Sequence, residues 1–304
     1  MTKTKLQTVG GALRRIWSDG RKVERTAYVV GAVLFASGLV HVGVLLVTGR
    51  TWTGPLSLRK AATFGLSFGL TLATVAWATS LLSMRESART VLLRVFTVAS
   101  VVETVLVSMQ AWRGVPSHFN FETPFDNVVA MTLAVGGGVI IITALGFAAA
   151  TVVGTGAMSP SIRLAVRSGF LTLLVALGIG AVMIARGVVE ARGGQAELAY
   201  TTAGELKPVH AVAMHAILVL PGMAWLLRFT GWDERVRMWL VGAGAGGYLV
   251  LTAVVAIESF AGQSPFAAPP LETAVSAVAL AVLVGAGMTA VAGALSGNRE
   301  TVGS

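Results

Sequence analysis

The sequence predicts an all-α fold, a polytopic bundle of eight transmembrane helices with both termini in the cytoplasm. Three observations carry that expectation. Of 304 residues, 55% are hydrophobic and only 12% charged, and the mean hydropathy is +0.77, outside the range of a soluble globular domain. The apolar residues gather into eight runs of about 20 residues or more, the length an α-helix needs to cross a hydrocarbon core. The Lys and Arg residues fall between those runs, and they do so unevenly.

The chain begins with a basic tail, 1–26. Leu6, Val9, Leu13, Ile16 and Trp17 interleave there with Arg14, Arg15, Arg21 and Lys22, which suits either an amphipathic helix on the inner leaflet or a disordered basic tail. The transmembrane domain is expected over 27–296. Its first span, 27–49, is too long for the apolar core of a signal peptide and has no small-residue cleavage site after it, so it reads as a retained helix. Further spans are expected at 61–83, 90–112, 127–151, 164–186, 208–229, 237–258 and 272–296, before a short tail, 297–304. Pro221 predicts a kink in the sixth span. Gly65/Gly69 in the second span and Gly242/Gly246 in the seventh space small residues for close backbone approach. The two four-helix halves do not place His, Pro or acidic residues at matching offsets, which argues against an inverted-repeat transporter.

With the N-terminus inside, sixteen of the 23 basic residues lie on inner segments; the outer side holds Arg50, Arg59, Lys60, Arg113, Arg186, Arg192 and Lys207. The positive-inside rule then puts both termini in the cytoplasm, with Trp52 and Trp112 at the outer interface and Trp232 and Trp239 at the inner one. The expected location is a bacterial plasma membrane. The net charge of +9 is explained by this topology and does not indicate a nucleic-acid partner. With no cysteine in the chain, disulfides, thiolate nucleophiles and Cys-held metal centres are excluded.

The chemistry-bearing residues fall towards the outer side. Counting helix rise at about 1.5 Å per residue, His41, Glu103 and His215 share one layer roughly 10–14 Å below the outer ends of the first, third and sixth spans. An acid at that depth costs about 2.5–3.5 kcal/mol on the insertion scale, so Glu103 marks a site unless a partner holds it. Ser100, Glu103 and Gln110 fall on one face of the third helix, and Ser37 and His41 share a face of the first. Lys60, Thr63, Ser67, Thr71 and Thr74 form a hydroxyl-rich stripe on the second, read as interhelical glue ahead of a permeation path. His210 and His215, five apart, are badly placed to hold one ion together.

Three chemistries suit this layer. Haem b would be held between His41 and His215, with His210 nearby and Arg59, Lys60 or Arg113 at its propionates. A non-haem metal ion would take His41, His215 and Glu103, the two-His-one-carboxylate set of iron and catalytic zinc, and Met109 and Met214 would admit copper. In proton coupling, Glu103 would exchange protons with a histidine titrating near neutrality. The blander alternatives are a His41 that only hydrogen-bonds between helices, and methionines that only fill space. A metal-dependent hydrolase is disfavoured because the other acids lie in loops.

The stretch Arg113-Gly-Val-Pro-Ser-His-Phe-Asn120 is the most motif-like part of the chain. Its Gly-Val-Pro-Ser reads as a tight turn, and Gln110, His118, Asn120, Glu122 and Asp126 are candidates for a lid and proton relay above Glu103. The alternative is an ordinary start to the fourth span with Asp126 as N-cap. The segments QAWRGVPSHFN, RKAATFGLSFG from Arg59, and His210 to Trp225 ending Leu-Pro-Gly-Met-Ala-Trp resemble an uncharacterised family of bacterial multi-pass membrane proteins. That resemblance would cover most of the eight-helix region and implies no activity. The favoured expectation is therefore a redox cofactor site, haem b ahead of a non-haem metal, serving a redox partner or small molecule on the outer side. A proton-coupled transporter is the alternative, and a structural or assembly role the third reading.

Overall fold

The computed structural model describes residues 5–49, 51–52, 54, 56–153, 158–264 and 267–296. Residues 1–4 of the basic tail, Arg50 and the tail 297–304 lie outside the described residues. Among the described residues there are ten α-helices and no strand: α1 (Lys5–Ser18), α2 (Lys22–Thr48), α3 (Arg59–Ser80), α4 (Glu86–Arg113), α5 (Pro124–Val153), α6 (Pro160–Arg192), α7 (Ala196–Glu205), α8 (Lys207–Leu227), α9 (Glu234–Phe260) and α10 (Pro270–Ser296). Eight of them, α2–α6 and α8–α10, are long and apolar enough to cross a membrane, which makes the chain a multi-pass membrane protein. They coincide with the eight expected spans; the largest departure is α6, which runs on to Arg192. The basic tail forms the helix α1, and the connection after α6 contains the short helix α7, which the apolar pattern does not signal.

Consecutive spans run up and down, so the bundle has two ends. The α1 face carries α1 and the start of α2; the loop face carries the start of α3 and the long connection between α4 and α5. Helices α2 and α3 meet backbone to backbone. A Cβ placed on Gly38 would lie 2.5 Å from the Leu66 amide nitrogen, and one on Gly65 would lie 2.6 Å from that of Gly38, so only glycine permits this approach. The seventh span departs from expectation. Nothing lies within 4 Å of the Cβ positions of Gly242 and Gly246, whereas Gly247 faces the Ala279 carbonyl of α10 at 2.7 Å and Gly244 faces Met223 of α8. A spacing of four fixes two residues to one face but does not say which face meets a neighbour. Helix α8 continues through Pro221.

The buried charges of the α1 face are paired locally. Glu24 and Arg89 are each 1% exposed. Arg21 donates to Glu24 Oε1 at 2.9 Å and to Glu86 at 2.8 Å, and Arg89 lies 3.7 Å from Glu24. Arg89 also donates to the Thr79 and Leu82 carbonyls at the end of α3, adding to the amide of Leu82 that Thr79 already accepts. One guanidinium thus joins α2, α3 and α4.

Candidate functional site

On the loop face, Gly114 ends α4 in the left-handed conformation with φ 68°, and the Val115 amide donates back to the Gln110 carbonyl, the pattern of a glycine C-cap. The chain then folds inward, burying Ser117, His118, Phe119 and Asn120. Phe119, the one non-glycine with positive φ among the described residues (60°), seats its ring where Gly187 of α6 has no side chain. The connection is closed by polar contacts. Gln110, fully buried, donates to Asp126 Oδ1 at 2.8 Å, Arg113 donates to the same oxygen at 2.5 Å and to Gln110 Oε1, and Arg113 stacks over Phe125 at 4.8 Å. Asp126 is not the N-cap of α5. That place belongs to Thr123, whose hydroxyl accepts from the Asp126 amide at 3.1 Å and donates to Asp126 Oδ2 at 2.7 Å, because Pro124 takes the first helical position and puts Asp126 third. The Glu122 amide donates to the Asn120 side chain at 3.2 Å.

Beneath this connection lies Lys60, at the start of α3. Its ammonium donates to His118 Nδ1 at 3.1 Å, and Ser117 Oγ lies 3.0 Å from the same nitrogen. While Lys60 is an ammonium it has no acceptor to offer, and His118 then accepts at Nδ1 and holds its ring proton on Nε2. Burial, and then the Lys60 charge, hold the His118 imidazole well below its ordinary value of 6.5, so it is neutral at pH 7. Glu103 of α4 is 3% exposed, and its Oε1 has no hydrogen-bond partner. The charge that acts on it is that of Lys60, although no direct ion pair joins the two. Gly136 of α5 faces the carboxyl, and any side chain there would strike it. Lys60 also feels Lys207, at the start of α8, which in turn feels Arg59. The acid's surroundings are therefore α3, α4, α5 and the 114–123 connection.

The histidines are not gathered around that acid. His41 donates from Nδ1 to the Ser37 carbonyl at 2.7 Å, and its Nε2 accepts from Trp112 Nε1 at 3.0 Å. Both ring nitrogens are engaged. His210 donates from Nδ1 across to the Ala176 carbonyl of α6 at 2.7 Å, and His215 donates to the Ala211 carbonyl of its own helix at 2.6 Å. Helix α8 packs mainly on α6 and α9, whereas α2 packs on α3 and α4. Among the described residues no three His, Cys, Asp or Glu side chains are grouped to hold a metal ion, so His41, His215 and Glu103 do not form a three-ligand set. The Thr63 and Thr74 hydroxyls of the stripe donate to carbonyls of their own helix. One group passed over in the sequence is buried on this face: Glu258 of α9, 2% exposed with Oε2 unpartnered. It lies at a span end, where charge is ordinary, and no pattern in the sequence marks it as buried.

No family model, no curated protein and no solved structure matches the chain.

Proposed function

We propose that this is a proton-coupled transporter in which Glu103 and Lys60 exchange protons with the loop side through His118. The observation that carries this reading is the buried Glu103 oxygen without a hydrogen-bond partner, within reach of the Lys60 charge but not paired with it. An isolated charge in the apolar layer is costly, so gain or loss of a proton at Glu103 changes the energy of the bundle substantially. That is the lever a coupled conformational change needs. Lys60 and the neutral imidazole of His118 supply a hydrogen-bonded route from the connection to the acid's neighbourhood. The positive-inside count favours a loop face outside the cell and both termini in the cytoplasm, and we keep a bacterial plasma membrane and membership of the family sharing the RGVPSHFN-type loop as part of the proposal.

The redox-cofactor reading draws less support, because haem ligation would require His41 to give up Trp112 and would leave Glu103 without a role. The test is infrared difference spectroscopy on reconstituted protein, with proton flux in proteoliposomes alongside. A carboxyl C=O band that follows bulk pH, disappears in Glu103→Gln and moves in Lys60→Met is expected. A Glu103 band indifferent to pH, or flux unchanged in Glu103→Gln, overturns the proposal. A Soret band lost in His41→Ala or His215→Ala would put haem in its place.

A further inference from the structure

The α1 face holds a cavity of about 390 Å³ between α1, the start of α2 and the ends of α3 and α8. Its volume is within the range of roughly 300–1,000 Å³ typical of small-molecule sites. One wall is aromatic: Trp77 and Trp225 meet edge to face at 6.4 Å, and Trp225 meets Phe229 at 4.9 Å. The other is cationic, from Arg15, Arg21 and Arg228, with Asp19 and Glu24 also on the lining. Not all of these charges are available. Arg21 is taken by Glu24 and Glu86, and Arg89 shares Glu24. Asp19 accepts from Ser18. Among the described residues the guanidiniums of Arg15 and Arg228 make no hydrogen bond and no ion pair, although they come from helices distant in sequence. Two free guanidiniums beside one acid leave an excess of positive charge on the lining, and the planar fork of an arginine suits phosphate oxygens.

The carbonyl ends of α3 and α8 border the same space and repel an anion, so anion binding there would have to rest on the two arginines. Leu13 and Trp17 of α1 are half exposed and give the helix an apolar surface beside the opening, as an interfacial helix has. Basic pockets between transmembrane helices at a membrane surface suit lipid head groups.

We infer that this cavity binds a phosphate ester carrying an apolar body, with the phosphate on Arg15 and Arg228 and the apolar part against Trp77, Trp225 and Phe229, and that an anionic phospholipid of the adjoining leaflet supplies it. The site is separate from the Glu103 cluster and stands whether or not protons move there.

Native mass spectrometry of the full-length protein in a zwitterionic detergent, titrated with short-chain phosphatidylglycerol, phosphatidylcholine or glycerol phosphate, tests this. Phosphatidylglycerol is expected to bind about tenfold more tightly than phosphatidylcholine, a ratio in keeping with charge-assisted hydrogen bonds. Arg15→Gln with Arg228→Gln should abolish the difference, and Arg228→Lys, which keeps the charge but loses the fork, should fall between. Arg14→Gln, on the same helix but outside the cavity, should leave it intact. Displacement of the lipid by glycerol phosphate at a similar concentration would support the phosphate site and assign it to a soluble ester. Equal binding of the two lipids by the unaltered protein, or an equal loss in Arg14→Gln, overturns the inference.

Discussion

Glu24 on the α1 face and Glu103 on the loop face are acids of nearly equal burial, 1% and 3% exposed, and the bundle treats them in opposite ways. Glu24 is surrounded by Arg21 and Arg89 within hydrogen-bond or ion-pair distance, and the same arginines tie down the ends of neighbouring helices. Glu103 has an oxygen with no partner and a lysine it does not touch. Burial of an acid is therefore not in itself a sign of function; what separates the two is whether the structure has already spent the charge. A paired acid resists protonation changes and holds helices together, whereas an unpaired one stabilises nothing and remains able to react.

That contrast can be broken at either end. The largest effect is expected from Glu103→Gln, which should lower proton-linked flux by about a hundredfold or more, the scale of a lost acid–base group, while leaving resistance to denaturant unchanged or improved; a destabilised variant would show that Glu103 is structural after all. At the opposite end, Arg89→Ala should cost about 1–3 kcal/mol in reversible detergent unfolding, because it takes the donor from the Leu82 carbonyl and one of two arginines from buried Glu24, and the folded fraction should keep its flux. A loss of flux per folded molecule would mean that the two ends are coupled. Gly65→Leu forces a side chain into the α2–α3 contact and should cost about 1–3 kcal/mol, with Lys60, one turn away on the same helix, moved from His118; the infrared band of Glu103 would then shift.

The smallest effect is one of pH. His118 is held neutral in the folded protein well below its ordinary 6.5, so below that value the unfolded chain binds a proton the folded one refuses. The stabilisation it contributes is complete above about pH 6.5 and is lost as pH falls towards the folded value, with a slope of at most about 1.4 kcal/mol per pH unit. His118→Gln should flatten that part of the stability–pH curve. An unchanged slope would place the titration elsewhere.

The spans were legible because hydropathy reports burial in lipid residue by residue, whereas for α1 the interleaved basic and apolar residues suited a helix and a disordered tail alike. An acid inside an apolar run and a crowd of polar residues between two runs are visible in the sequence, which is why Glu103 and the 113–126 stretch could be singled out. What hydropathy leaves out is rotation and neighbourhood. It therefore could not tell that Glu103 faces Lys60 and Gly136 rather than His41 and His215, or that α9 turns Gly247 and not Gly246 towards α10. Lys60 was marked as a rim cation because it lies at a span end, yet its side chain turns inward to His118. The exchange of roles between Thr123 and Asp126 is of another kind: both residues suit a cap, and Pro124 between them decides it by fixing where the helix begins.

The ring of Phe119 against Gly187 has a mechanical consequence. It buttons the stretch from Val115 to Asn120 onto the end of α6, so this stretch cannot swing as a loose flap. Uncovering His118 requires the ring to leave its socket, and once it does, the left-handed backbone at Phe119, costly by about 1–3 kcal/mol for a residue with a Cβ, is free to relax. Release and relaxation then favour each other, and α6, which carries Gly187, is the part of the frame against which the ring is held.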